Sequence, residues 1–218
     1  MLFYLGGVMK EKIELRTFNV ELRADGEDKV KQLVGYAALF DVLSENLEGF
    51  REKIQKGAFA KSIVKDDVRV LFNHDTNYVL GRNTNGTLIL EEDDIGLKIT
   101  VTPPETQFAK DLTMLVERGD VNQMSFGFVV NVDEWDTTDE TDIIRTLIDV
   151  TLWDVSLVVY PYYKQTMVGV RSSKEILDEF LNKRMQEQKL VENIEVEAQE
   201  RKAQLRNIKI QMIKREVT

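Results

Sequence analysis

The chain has 218 residues, no cysteine, one histidine and a formal net charge of -9 at pH 7. Without cysteine there are no disulfides, thiol nucleophiles or thiolate metal sites, and one imidazole excludes a zinc site built from several histidines of one chain. The acidic balance argues against a nucleic-acid-binding surface, whereas a carboxylate-only magnesium or calcium site stays open.

The opening MLFYLGGV is apolar. It lacks the basic region and small-residue cleavage site of a signal peptide. No apolar run reaches the roughly eighteen residues of a transmembrane helix. MKEKIELRTF, from Met9, reads as a natural beginning, so residues 1–11 are set aside as an N-terminal extension.

Residues 12–171 read as one mainly β, α+β domain of roughly eight short strands with two helices among them. KIELRTFNVEL (12–22) and KQLVGYAAL (31–39) alternate apolar and polar residues around the turn signal ADGED. GAFAKSIV (57–64) has helical spacing, and VRVLFNH (68–74) returns to alternation. TLILEED (87–93) and GLKITVT (96–102) follow, flanked by TNG and EDDIG. After Pro103 and Pro104, ETQFAKDLTMLVERG (105–119) reads as a helix with Phe108, Leu112 and Leu115 on one face, stopped by Gly119. SFGFVVNV (125–132), IIRTLIDV (143–150) and LWDVSLVVY (152–160) complete the strands. Such close spacing predicts a barrel or a sandwich.

Residues 172–218 contain no proline or glycine and are rich in Glu, Gln, Lys and Arg. Val191, Ala198, Leu205 and Met212 recur every seven residues, with Ile194 and Ile208 three after two of them. That is a heptad seam, interrupted by Arg201 and Arg215, and it predicts a long helix that pairs with another chain. A helix packed on its own domain is the alternative. Arg201, Lys202, Arg206, Lys209, Lys214 and Arg215 make the tail end basic. Such a face either binds an acidic partner or is simply solvated.

Three polar residues stand in apolar company. Val68, Val70, Phe72 and His74 share a strand face, so the imidazole ends an inward row, with Asn73 and Asp75 making the turn. Ser125 lies among Met124, Phe126 and Phe128, and Gly127 leaves open space beside its hydroxyl for a close-approaching backbone. Asp154 sits in a near-continuous apolar run from Leu152 to Tyr160, which reads as a strand covered on both faces. A buried carboxylate there needs a cation or a donor. Arg145, on the preceding strand, is the structural candidate and His74 the functional one. Taken singly, each of the three has a bland role in packing. Together they have the form of a serine nucleophile, its imidazole base and an orienting acid. The chain order His, Ser, Asp differs from the familiar triads, and no G-x-S-x-G elbow is present.

The motifs GYAALFDV (35–42), EKIQKGAFAKSI (52–63), DVRVLFNHD (67–75), LGR (80–82), TLILEEDDIGL (87–97), ERGDVNQMSFGF (117–128) and LWDVSLVVYPYY (152–163) fall in an order and spacing with a known counterpart. Residues 12–171 resemble the prohead proteases of tailed bacteriophages, capsid-maturation serine proteases related in fold to herpesvirus assemblin. The resemblance implies a small closed β-barrel ringed by helices, without metal or cofactor. It places the family's histidine at His74 and its serine at Ser125, and puts Asp154 where relatives commonly carry glutamate, with Asp149 as an alternative acid. It further implies cleavage of scaffold segments of a major capsid protein precursor, and self-cleavage, inside an immature prohead in the host cytoplasm. The tail at 172–218 would then bind scaffold or self-associate. Arg145 is a candidate for oxyanion support, with an ion pair to an acid as the equal alternative. The rival reading is a catalytically inert capsid-assembly or scaffolding protein that works through its tail.

Overall fold

The computed structural model describes residues 13–19, 23–25, 31–160 and 172–216. The proposed extension at 1–11 lies outside the described residues. The chain divides into two compact units, residues 1–173 and 174–218.

In the first unit the strands are β1 (Glu14–Asn19), β2 (Arg23–Asp25), β3 (Gln32–Leu39), β4 (Arg51–Ile54), β5 (Arg69–Phe72), β6 (Asp75–Arg82), β7 (Leu88–Glu92), β8 (Gly96–Val101), β9 (Gln123–Asp136) and β10 (Ile144–Val158). One sheet runs β1-β9-β10-β5-β6, with β4 also pairing with β10, and the other runs β2-β3-β8-β7. β9 and β10 form a long antiparallel hairpin, whereas β4 and β5 lie parallel to successive halves of β10. The inner faces share one core: Met124, Phe126, Phe128, Val155 and Leu157 from the first sheet meet Leu33, Leu97, Ile99 and Val101 from the second. Phe126 stands edge-on to Phe59 at 5.4 Å and stacks on Phe128 at 4.8 Å, geometries that aromatic quadrupoles favour.

Three sequence expectations change. A closed barrel is absent among the described residues. Each sheet keeps two end strands, β1 and β6 in one and β2 and β7 in the other, and closure would need the first strand to bond to the last. IIRTLIDV and LWDVSLVVY are one strand, β10, not two. β6 was hidden because residues 76–79 are exposed and carry no apolar alternation.

The two helices of this unit are α1 (Ala60–Lys65) and α2 (Gln107–Arg118). α2 begins where Thr106 Oγ1 accepts from the Ala109 N–H at 3.3 Å, and it ends at Gly119, whose φ of 79° is the left-handed cap that glycine adopts without strain. Its buried stripe is Ala109, Leu112 and Val116 with Phe108 partly covered, and Leu115 is 37% exposed. The anticipated face was therefore rotated by a residue, because the small Ala109 belongs to it.

Arg145 anchors the far end of β10. It is only 2% exposed and lies among Glu14 of β1, Glu52 of β4 and Asp133 of β9. Its Nη1 donates to Glu14 Oε2 at 2.7 Å and Glu52 Oε2 at 3.0 Å, and its Nε donates to Asp133 Oδ2 at 2.7 Å. Arg16 completes the cluster through Nε to Glu52 Oε1 at 2.7 Å and Nη2 to Glu14 Oε2 at 2.9 Å. Burial alone would make the Arg145 guanidinium less basic, but the surrounding carboxylates outweigh it and raise its pKa above the ordinary value. The proton stays on, and four strands are tied to one cation.

The second unit contains α3 (Ser173–Glu216), a continuous helix of 44 residues, about 66 Å long at 1.5 Å per residue. Val191 and Ile194, two positions of the heptad seam, are 55% and 57% exposed. Among the described residues no helix is long and apolar enough to cross a membrane.

Truncating Arg145 would leave buried acids without their cation. Arg145→Ala is expected to cost about 3–5 kcal/mol of stability in a urea titration. A loss below about 1 kcal/mol, the scale of an exposed pair, would show that the cluster does not hold these strands together.

Candidate active site

Three side chains from distant parts of the sequence meet on the face of the first sheet that points away from the core. Alternation along β9 sends Met124, Phe126 and Phe128 inward, so Ser125 and Gly127 point outward. Across the hairpin, Ser125 is paired with Ser156 and Gly127 with Asp154. Val155 and Leu157 fill the core, which leaves Asp154 and Ser156 on the outward side. β5 runs alongside β10 as far as Phe72, and the next two residues carry the histidine.

His74 is on a turn rather than at the end of a strand row. β5 stops at Phe72, Phe72 pairs with Asp75, and Asn73 and His74 form the two-residue connection to β6. Their φ angles of 52° and 57° are left-handed, as the primed turns of tight hairpins require. For a histidine that conformation is uncommon, and a non-glycine residue held there is a pointer to function. Local bonds hold it. The Asn73 N–H donates to Leu157 O at 2.9 Å, Asn73 Oδ1 accepts from the Val159 N–H at 3.1 Å, and the His74 N–H donates to Ser156 Oγ at 3.2 Å.

From this turn the imidazole reaches both partners. Nε2 lies 2.7 Å from Ser125 Oγ, and Nδ1 lies 2.7 Å from Asp154 Oδ2. An ionised carboxylate only accepts hydrogen bonds, so Nδ1 carries the proton and the Nε2 lone pair faces the serine hydroxyl. Ser125 is 1% exposed and Asp154 5%, so these contacts form away from bulk water, where such interactions are strengthened. Chemically the arrangement can withdraw a proton from Ser125 and hold it on a ring oriented by Asp154.

Two features make room for the carboxylate. The β9–β10 register shifts between Leu152 and Asp154, so Trp153 and Asp154 together face Gly127. Core positions Leu152 and Val155 are accordingly three apart and Trp153, at the bulge, is 46% exposed, whereas residues 154–158 are all buried, as expected of a strand covered on both faces. Ser62 of α1 accepts from the Leu152 N–H at 2.7 Å beside this irregularity. Gly127 supplies the second feature. A Cβ there would sit 2.5 Å from Asp154 Oδ1, so the space beside Ser125 is filled by the acid and not by a backbone.

The other candidates fall elsewhere. Arg145 and Asp154 lie on one strand, nine residues apart, which at about 3.3 Å per residue is roughly 30 Å. Arg145 therefore does not meet Asp154; it takes the other role the sequence allowed, an ion pair with acids. Asp149, the alternative acid, pairs with Lys61 at 2.5 Å, and that hydrogen bond holds its carboxyl below the ordinary carboxylate value. Ser156, the other polar residue in the run from Leu152 to Tyr160, was given no role from sequence, although its position two residues beyond Asp154 on a strand was the available signal. Among the described residues no group of three or more acidic or histidine side chains is arranged to hold a metal ion.

No curated protein matches the chain. Among solved structures, the bacteriophage T4 capsid assembly protease gp21 is similar at a TM-score of 0.47 and 11% identity, over 69% of this chain and 98% of that one. The family model described as caudovirus prohead serine protease matches residues 18–180, a span that includes His74, Ser125 and Asp154. The chain belongs to the caudovirus prohead serine protease family.

Proposed function

We propose that the chain is a serine endopeptidase that hydrolyses peptide bonds through an acyl-enzyme. Ser125 is the nucleophile, His74 the base and then the acid, and Asp154 the group that fixes the ring tautomer and stabilises its cation. The observation that supports this most is the unbroken chain from Ser125 Oγ through Nε2 and Nδ1 to Asp154 Oδ2, with both links at 2.7 Å. Serine is a weak nucleophile at neutral pH without an adjacent base, and this chain owns one imidazole.

Family membership supports a phage capsid-maturation protease. Its substrates are the scaffold segments of the major capsid protein precursor, together with its own chain, cut within the immature prohead in the host cytoplasm. The helical segment from residue 172 concentrates the enzyme there by self-association or by binding scaffold. The exposed Val191 and Ile194, on a helix whose apolar positions recur by heptads, support this role. The rival, an inert assembly protein, gives no reason for a left-handed histidine pinned between a serine and a buried acid.

The catalytic assignment is tested by co-expression with a capsid precursor. Ser125→Ala and His74→Ala should abolish processing, and Asp154→Asn should slow it by about 10²–10⁴-fold; undiminished processing by either alanine variant refutes the mechanism. Intact mass should show a shortened active chain beside a full-length Ser125→Ala chain. Gly127→Ala should push the acid off Nδ1 and reduce processing as Asp154→Asn does, with a crystal structure of the variant showing the broken contact. For the helix, sedimentation of the Ser125→Ala chain should report an oligomer, and Val191→Asp with Ile194→Asp should return it to monomer. Identical masses would remove the seam as the contact.

A further inference from the structure

We propose that Ser156 is a positioning residue for the catalytic imidazole, clamping the ring's two anchors to one another. The proposal rests on the serine-protease reading above and adds a fourth residue to it. Ser156 is completely buried, and its single hydroxyl is used twice. It donates to Asp154 Oδ2 at 2.8 Å, the same oxygen that takes the Nδ1–H, and it accepts from the His74 N–H at 3.2 Å. The first bond sets the rotation of the carboxylate. The second holds the main chain of a histidine whose φ of 57° is unfavourable by itself.

The imidazole is therefore fixed through its side chain and its backbone by one oxygen. The Asn73 bonds hold the turn as a whole, and among the described residues Ser156 alone links the His74 main chain to the carboxylate. Asp154 sits on a bulge, where strand pairing is locally disrupted, and His74 sits on a two-residue turn, where the backbone has few ladder bonds to restrain it. Ser156 is on the regular stretch between them, in register with Ser125 across the hairpin, with Val155 and Leu157 locked in the core on either side. It transmits the rigidity of the core to two irregular positions. Without its hydroxyl the carboxylate can rotate away from Nδ1, the ring loses its tautomer preference, and Nε2 no longer faces Ser125 for most of the time.

The single histidine gives a direct readout, because a chain labelled with ¹⁵N-histidine reports one ring. In the unaltered protein the ring nitrogens should show Nδ1 protonated and Nε2 bare. In Ser156→Ala both tautomers should appear. With a peptide copied from a cut site mapped in the precursor, kcat should fall about ten- to hundredfold, the scale of a hydrogen bond to a charged group, with KM unchanged. Ser156→Cys, slightly larger and with a weaker donor, should fall between the two, and serves in place of Ser156→Ala if that variant does not fold. An unaltered rate with a single tautomer, alongside an inactive Ser125→Ala, overturns the positioning role and leaves the protease reading intact. A rate loss confined to KM, with the ring signals unchanged, also overturns it. If Ser125→Ala cleaves normally, the protease reading fails and this proposal fails with it.

Discussion

The buried carboxylate of Asp154 is the constraint around which the site is built. A carboxylate that is 5% exposed in an apolar stretch of β10 is tolerated only when donors meet it. Two donors converge on its Oδ2, the imidazole Nδ1 and the Ser156 hydroxyl. Room for it comes from the hydrogen-only side of Gly127 and from the bulge that brings Asp154 opposite that glycine. Each of these is a local departure from regular sheet, and none would be retained for packing alone. The departures make sense as the requirements of holding a charge next to a ring.

β10 carries two solutions to the problem of a buried charge, one at each half. Near its start Arg145 is surrounded by acids from β1, β4 and β9, and the cluster is self-contained. Nearer its end Asp154 has only a histidine and a serine. The first arrangement is saturated with opposite charge and so is suited to tying strands together. The second has no full charge of opposite sign built around it among the described residues and is held by hydrogen-bond donors alone. The same strand thus separates an ion cluster from the hydrogen-bonded Ser125, His74 and Asp154 by roughly 30 Å.

Much of the site was legible because the chain has so little chemistry to offer. One histidine, one acid in the run LWDVSLVV and one serine among aromatics left few combinations, and the structure brings those three within hydrogen-bond distance. What could not be read was geometry that depends on strand pairing. The sequence VRVLFNH continues its alternation through His74, yet the strand ends at Phe72, since the place of a turn depends on which residue pairs across it. The bulge at Trp153 was masked by apolar residues on both sides of it, although the spacing of Leu152, Val155 and Leu157 breaks the two-residue period. Arg145 was assigned to a separate strand, and that error alone brought it near Asp154. The closed barrel came from the resemblance and not from any residue pattern. Strand spacing left barrel and sandwich equally open, and hydrogen bonding between end strands decides between them.

A histidine placed on a left-handed turn calls for an explanation in terms of reach. A strand residue points along the normal of its sheet, so a His74 in regular register with Phe72 would stand over β5 rather than over β10 and β9. The turn swings the ring across Ser156 toward Ser125, at a backbone cost of about 1–3 kcal/mol. That cost is offset by the hydrogen bonds made by Asn73 and by the His74 N–H, and they depend on β10 being where it is. The turn and the acid therefore stabilise each other: the imidazole satisfies Asp154, and the strand carrying Asp154 holds the turn that presents the imidazole. Such mutual dependence means the chain from Ser125 through His74 to Asp154 is assembled only when β5, β9 and β10 are already paired, so it is a property of the three-stranded arrangement and not of any segment within it.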